Sequence, residues 1–384
     1  MSEGRIGPLG KRATKRKRGD SMHKNRILRY ITIAAILFLG MVWSLSMASD
    51  EGKTAEYPNP EFLVSAKWLK EHIRDNTLVI VDVRGDKYYD GSPIPGAIRL
   101  PWTAFRYDDL DMNIGEKFVG PQKAQEILGS AGIARSDAIV LYDSVERDGG
   151  ATASYVFWIL DILGHSEKKI LDGGIDAWQR AGYHLSAESR TLKPLLYQAP
   201  SSEIQKWKLI DGSFIYSRLG DPMYQIIDVR SHAEYVGEKG ITGLRGNPFK
   251  LGHIPKAVNI DYTAAWVDEK TKQLKTYRDL QELYRGLDTS RGVIVYCNSG
   301  RRSSFSYFIL RLMGVNQVIT YEYSWKEWGD PEKFYPVESV ERKFSGDDLP
   351  GTSAGMESVK NAEDSGGKRR IQGNPRGGYV SCGG

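Results

Sequence analysis

The stretch GVIVYCNSGRRSSFSYFILRLMG, residues 292–314, carries the pattern that decides the fold. Its first five residues, Gly292 to Tyr296, form an uncharged, β-branched run of the kind buried on both faces of a parallel sheet. A polar turn follows at once, Cys297-Asn298-Ser299-Gly300-Arg301-Arg302. From Ser303 onward, Phe305, Phe308, Ile309 and Leu312 are spaced as on one face of an amphipathic helix, which Gly314 ends. Strand, tight turn and helix make up the unit of an α/β fold. The turn then lies at the carboxyl end of the strand, where such folds bind their ligands.

A cysteine in that turn is a candidate nucleophile for three reasons. Backbone N–H groups and the positive end of the helix dipole converge there. Arg301 and Arg302 add charge, so the thiol is expected to ionise more readily than usual. Gly300 lets the chain close tightly around the sulfur. Asn298, Ser299, Gly300, Arg301, Arg302 and Ser303 are the loop expected to hold the substrate, with Arg301 facing an anionic ligand or solvent.

The same alternation of short strands and helices extends over most of the chain, and it occurs twice. Asp82-Val83-Arg84 is answered by Asp228-Val229-Arg230, and Ile94-Pro95-Gly96-Ala97-Ile98 by Ile254-Pro255-Lys256-Ala257-Val258. The run Ile139 to Asp143 is answered by Ile294 to Cys297, and Trp178, read as a helix start, by Trp328. Strands are expected at Leu78–Val83 and Ala138–Tyr142, helices at Pro121–Ala131 and Thr152–Leu163. The predicted fold is therefore α/β with two like domains, 60–187 and 203–340, each a parallel sheet covered by helices on both faces. Leu192–Ser202 joins them. Asp143 stands where the second copy has Cys297, so the first copy is expected to be inactive and to wall one side of the cleft.

The ends of the chain differ from this body. Residues 1–29 hold ten Lys or Arg against Glu3 and Asp20, a net +8, so the overall +5 leaves about −3 for the rest. A slightly acidic body argues against a nucleic-acid partner. Ile31 to Ala48 is uncharged, and eighteen helical residues span roughly 27 Å. Residues 30–48 read either as a transmembrane anchor, with 1–29 cytoplasmic and the body outside, or as a signal peptide cleaved after Ser46-Met47-Ala48. Residues 346–384 hold ten glycines and few large apolar groups, the composition of a disordered tail. Two cysteines exclude a disulfide framework, and six scattered histidines show no metal-ligand spacing. No metal and no cofactor are expected.

Cys297 to Ser303 after a strand resembles the catalytic rhodanese domain. The other shared features are Asp228 to Arg230, the Glu234-Tyr235 pair, Gly252-His253-Ile254-Pro255 before the loop and Ser324 to Trp328 after it. The resemblance implies a sulfurtransferase in which Cys297 takes a sulfane sulfur, as from thiosulfate, and passes it as a persulfide to a thiol or cyanide. It also implies that Arg302 buttresses the loop by pairing with Asp228, and that Arg230 and His253 are architectural. Two positions depart from the pattern. The loop is of the single-domain type, and Tyr323 replaces a usual glycine and is expected to narrow the pocket. Two other readings stand beside the enzyme. One is a relay module that hands sulfur to a protein thiol; the other is a cysteine phosphatase, whose loop has five residues between Cys and Arg where this one has four. Cys382, near the end of the tail, is either a second thiol able to reach Cys297 or incidental.

Overall fold

The computed structural model describes residues 56–340. The membrane or signal segment 30–48, the tail 346–384 and Cys382 lie outside the described residues. Among the described residues no helix is long and apolar enough to cross a membrane.

The first half runs β1 (Leu63–Val64), α1 (Ala66–His72), β2 (Leu78–Asp82), β3 (Ile98–Arg99), β4 (Arg106–Asp109) and β5 (Ile114–Phe118). It continues with α2 (Gly120–Ser130), β6 (Ala138–Tyr142), α3 (Ala151–Ile162), β7 (Lys168–Leu171) and α4 (Gly174–Arg180). The second half runs α5 (Gly212–Tyr216), β8 (Tyr224–Asp228), α6 (His232–Tyr235), β9 (Val258–Asn259) and α7 (Tyr277–Leu283). It closes with β10 (Gly292–Tyr296), α8 (Arg301–Leu312), β11 (Val318–Thr320) and α9 (Ser324–Trp328). Two parallel sheets result, ordered β1-β7-β6-β2-β3 and β11-β10-β8-β9, while β4 and β5 pair antiparallel as a hairpin apart from both.

The interior strands β2 and β10 are buried at every position, which is why their sequences run apolar instead of alternating. In the first half Leu78, Ile80, Val140 and Tyr142 pack with Leu69 of α1 and Trp178 of α4. In the second, Ile226, Ile294 and Tyr296 pack with Ile215 of α5 and Trp325 and Trp328 of α9. Trp178 and Trp328 are each the fifth residue of their helix, not its start.

The repeated Asp-Val-Arg motif acquires a physical cause. Asp82 ends β2 fully buried, and the Arg84 guanidinium folds back onto its carboxylate at 2.8 Å. The Tyr142 hydroxyl donates to the same carboxylate at 2.9 Å and accepts from the Ile94 N–H at 3.0 Å. The second half rebuilds the set with Asp228, Arg230 at 2.6 Å, Tyr296 at 2.6 Å and the Ile254 N–H at 3.1 Å. Each buried charge is thus paired and hydrogen-bonded, the condition for burying it at all.

The two halves meet most extensively through α3 and α8. All twelve residues of α3 are buried, and in α8 every residue from Ser303 to Leu310 is. The amphipathic reading of Ser303 onward is thereby corrected. The helix begins at Arg301 and is buried on all sides, because its outer face packs on α3 instead of water. Phe157 meets Phe308 edge-on at 5.1 Å across this contact. Below it Asp161 receives the ammonium groups of Lys168 at 3.0 Å and Lys208, together with the Tyr307 hydroxyl.

Candidate active site

Cys297 follows β10 directly and is 1% exposed. Its N–H donates to the Ser324 hydroxyl at 3.0 Å, and the Trp325 and Lys326 N–H groups at the start of α9 donate to the Cys297 and Asn298 carbonyls at 3.1 Å. The loop is held from the α9 side as well as by its own strand. Within it the Ser299 N–H approaches Cys297 Sγ at 3.4 Å. Gly300 caps α8 at φ +85°, a conformation costly for any other residue, and an added Cβ would lie 3.0 Å from the Glu322 side chain. Ser303 donates its hydroxyl to the Gly300 carbonyl at 2.9 Å, closing the turn.

The expected Arg302–Asp228 pair does not form. Asp228 is already saturated by Arg230 and Tyr296, and Arg302 instead grips Glu234 of α6 through both terminal nitrogens, each at 2.9 Å. Glu234 also accepts from Asn298 at 2.8 Å and from the Ser231 hydroxyl at 2.8 Å. It accepts from the Ser231 N–H at 3.2 Å while its own N–H donates to the Ser231 hydroxyl at 3.4 Å, a capping box. Burial would raise the Glu234 carboxyl, but these donors hold it well below the usual range. Burial also opposes the charge of Arg302, yet the hydrogen bonds and charge of Glu234 raise its pKa. Arg230 and His253 stay away from the sulfur. Arg230 also donates to the Gly252 carbonyl at 2.6 Å, and His253 stacks on Tyr235 at 3.8 Å between ring centres.

A cavity of about 640 Å³ opens over Cys297. Asn298, Ser299, Arg301 and Arg302 line it, with Glu234, Tyr262, Lys239, Ile241 and Thr242. Tyr323 is not among the lining residues; its ring lies 5.2 Å from Lys117 Nζ.

Arg106, Glu116 and Asp148 come to the site from the first half and carried no signal in the sequence. The β4–β5 hairpin lies against the Cys297 loop. Arg106 donates to the carbonyls of Glu116 and Ser299, and Glu116 accepts from the Ser299 hydroxyl at 3.0 Å and from Lys326 at 3.1 Å. Arg301 meets neither an open anion site nor solvent alone, for it forms an ion pair with buried Asp148 of the first half. Behind the loop, Glu322 accepts from the Phe118 N–H at 3.0 Å and the Tyr155 hydroxyl at 3.1 Å. Burial pushes its carboxyl up to about 7, although Arg106 stands 3.7 Å away.

The Asp143 loop of the first half shows what such a turn is built to hold. Asp143 is buried, and its carboxylate collects the N–H groups of Gly150, Thr152 and Ala153 at 3.0–3.1 Å. The loop around it, from Asp143 to Gly150, is four residues longer than that from Cys297 to Gly300.

Residues 65–181 and 213–330 each match the rhodanese-like domain family. The chain is 30% identical over 297 residues to a thiosulfate sulfurtransferase of Corynebacterium glutamicum, covering 74% of this chain and 93% of the relative. It is also 30% identical over 283 residues to the sulfur carrier protein TtuD of Thermus thermophilus, covering 71% and 95%. SseA of Escherichia coli, solved in a study of the rhodanese fold and the mechanism of 3-mercaptopyruvate sulfotransferases, superposes with a TM-score of 0.56 at 25% identity. That superposition covers 69% of this chain and 98% of the other. Two sheets built around one repeated Asp-Arg-Tyr network, with both networks inside the matched segments, mean that the chain belongs to the rhodanese-like domain family.

Proposed function

We propose that the chain is a sulfurtransferase that carries sulfane sulfur on Cys297 and works outside the cytoplasm, with residues 30–48 as anchor or export signal. The observation that carries the chemistry is the first half's occupied turn. There Asp143 fills an anion cradle with its own carboxylate. The first-turn N–H groups of α8 have no partner within their own helix, and the Cys297 side chain is one heavy atom shorter than the Asp143 side chain of the equivalent turn. One further sulfur atom, anionic and bonded to Sγ, makes up that difference.

Cys297 thiolate attacks the outer sulfur of a donor such as thiosulfate. A new S–S bond forms, the donor's S–S bond breaks, and sulfite leaves with the bonding pair. An acceptor thiolate or cyanide then attacks the outer sulfur of the persulfide and releases Cys297 as thiolate, a ping-pong sequence. The phosphatase reading loses its chemistry, since Arg302 is committed to Glu234 and not to a phosphate oxygen. A relay to a protein thiol keeps one supporting observation, the likeness to a protein named a sulfur carrier. Turnover with thiosulfate and cyanide favours the enzyme, while transfer to a protein alone favours the relay.

Intact mass after incubation with thiosulfate tests the central step. The wild-type chain should gain one sulfur atom and Cys297→Ser none; no gain from any sulfane donor sinks the proposal. Location rests on the uncharged run Ile31–Ala48 after ten basic residues. A reporter active only outside the cytoplasm, fused after Val340, should give signal with residues 1–48 present and none without them. Equal signal from both forms would refute export.

A further inference from the structure

Of the cations lining the cavity, three already have a carboxylate. Arg301 is met by Asp148, Arg302 by Glu234 and Lys326 by Glu116. The fourth, Lys239, is exposed, and among the described residues it has no ion-pair partner. Two of these three carboxylates, Asp148 and Glu116, are contributed by the half that lacks a cysteine. Asp148 is 3% exposed and also lies 3.6 Å from Arg147, so its charge is spent inside the interface. Glu116 is different, because it lines the cavity itself and is half-exposed. It is a fixed negative charge in the cavity that opens over Cys297, which an anionic donor must enter.

Resting on the sulfurtransferase reading, we propose that Glu116 is a specificity-determining residue, which by neutralising Lys326 tunes the site towards sulfane donors bearing one negative charge over those bearing two. Its backbone supports the placement. Glu116 sits at φ +60°, an uncommon conformation for a residue with a side chain, and its carbonyl accepts from Arg106. The hairpin therefore aims the carboxylate at the Cys297 loop, where Ser299 and Lys326 receive it. Burial would raise the Glu116 carboxyl, but Arg106 and Lys326 hold it down to about 2, so it stays ionised at any working pH. A donor with one charge is repelled by it once and a dianion twice, while the cationic return from Lys326 is cancelled.

Two donors separate this effect from general damage. Thiosulfate carries two charges and methanethiosulfonate one. Both give their outer sulfur to the thiolate, the first releasing sulfite and the second methanesulfinate with the bonding pair. Glu116→Gln keeps an acceptor for the Ser299 hydroxyl while removing the charge. It should raise the ratio of second-order persulfide-formation rates, thiosulfate over methanethiosulfonate, about five- to tenfold at low salt, and the gain should shrink as salt is added. Lys326→Gln should move the ratio the other way, and it supplies the answer if the first variant does not fold. Equal changes for both donors in both variants would make Glu116 a structural residue and overturn the proposal. Failure of the wild-type protein to form a persulfide with either donor would instead overturn the sulfurtransferase reading itself, and this one with it.

Discussion

Glu234→Ala should lower the rate of persulfide formation on Cys297 by about a hundredfold or more, although Glu234 is not the group that reacts. Two residues of the loop end on this carboxylate, Asn298 and Arg302 with both nitrogens, and Ser231 at the cap of α6 joins them. Without it, a guanidinium and an amide lose their anchors at the mouth of the cradle. A displacement of about 1 Å at a reacting centre costs on the order of a hundredfold in rate. Stability should fall as well, by about 3 kcal/mol, since one partner of a largely buried ion pair is left alone. Rate and stability are separated by the double variant. Because Arg302 acts through Glu234, Arg302→Ala added to Glu234→Ala should cost little further rate, whereas independent residues would multiply. Stopped-flow or quenched mass measurement of persulfide formation reads both. A rate within threefold of wild type in Glu234→Ala, with the fold intact, would show that the loop needs no such anchor.

Asp161→Ala should cost about 3–5 kcal/mol of stability, the range for leaving buried cations without their counter-charge. Asp161 lies in α3 of the first half and is 3% exposed. Lys168 comes to it from its own half, and Lys208, Tyr307 and, at 3.8 Å, Arg311 from the other. Burial alone would raise its carboxyl, but Lys168, Lys208 and Arg311 outweigh it and hold the pKa well below the usual carboxylate range. Lys208 is pulled down, because for that ammonium burial outweighs a single carboxylate. The carboxylate side governs, since three cations share one anion. For an acid whose pKa is lowered on folding, the stabilisation is fully present above the unfolded value near 4 and is lost as pH falls through the folded one. The gap between wild type and Asp161→Ala should hold from neutral pH down to about 5 and narrow in stronger acid. Denaturant midpoints at pH 7 and pH 3 measure it. A loss under 1 kcal/mol at pH 7 would mean that the cations find other partners.

The legible parts of the fold were those whose physics is local. Leu78–Asp82, Ala138–Tyr142 and Gly292–Tyr296 announce themselves because strands buried on both faces must be apolar throughout. The turn at Cys297 is legible for the same reason, as glycine and polar residues follow the strand without a gap. Readings failed where a second element decided the outcome. Whether α8 is amphipathic depends on α3 covering it, and α3 lies some 150 residues earlier. The partner of Arg302 depends on Asp228 having already been taken by Arg230, two residues along the same chain. Arg106, Glu116 and Asp148 are charged residues in segments without helical or strand periodicity. Only the docking of the hairpin and of the Asp143 loop gives them a role, and no spacing in the sequence encodes that docking.

The packing of α3 on α8 has a last consequence. These are equivalent helices of the two copies, each following the turn at the end of its central strand, and each buries its length against the other. Such a contact has the form of a two-fold dimer interface, drawn here within one polypeptide. A tethered dimer is free to become lopsided. One copy has Asp143 where the other has Cys297, and its turn is the longer of the two. It stays part of the other's structure, because its helix covers the other's core and its hairpin reaches the other's cysteine loop. The asymmetry between the two halves is thus carried across the joint, and each half is completed by the other's packing.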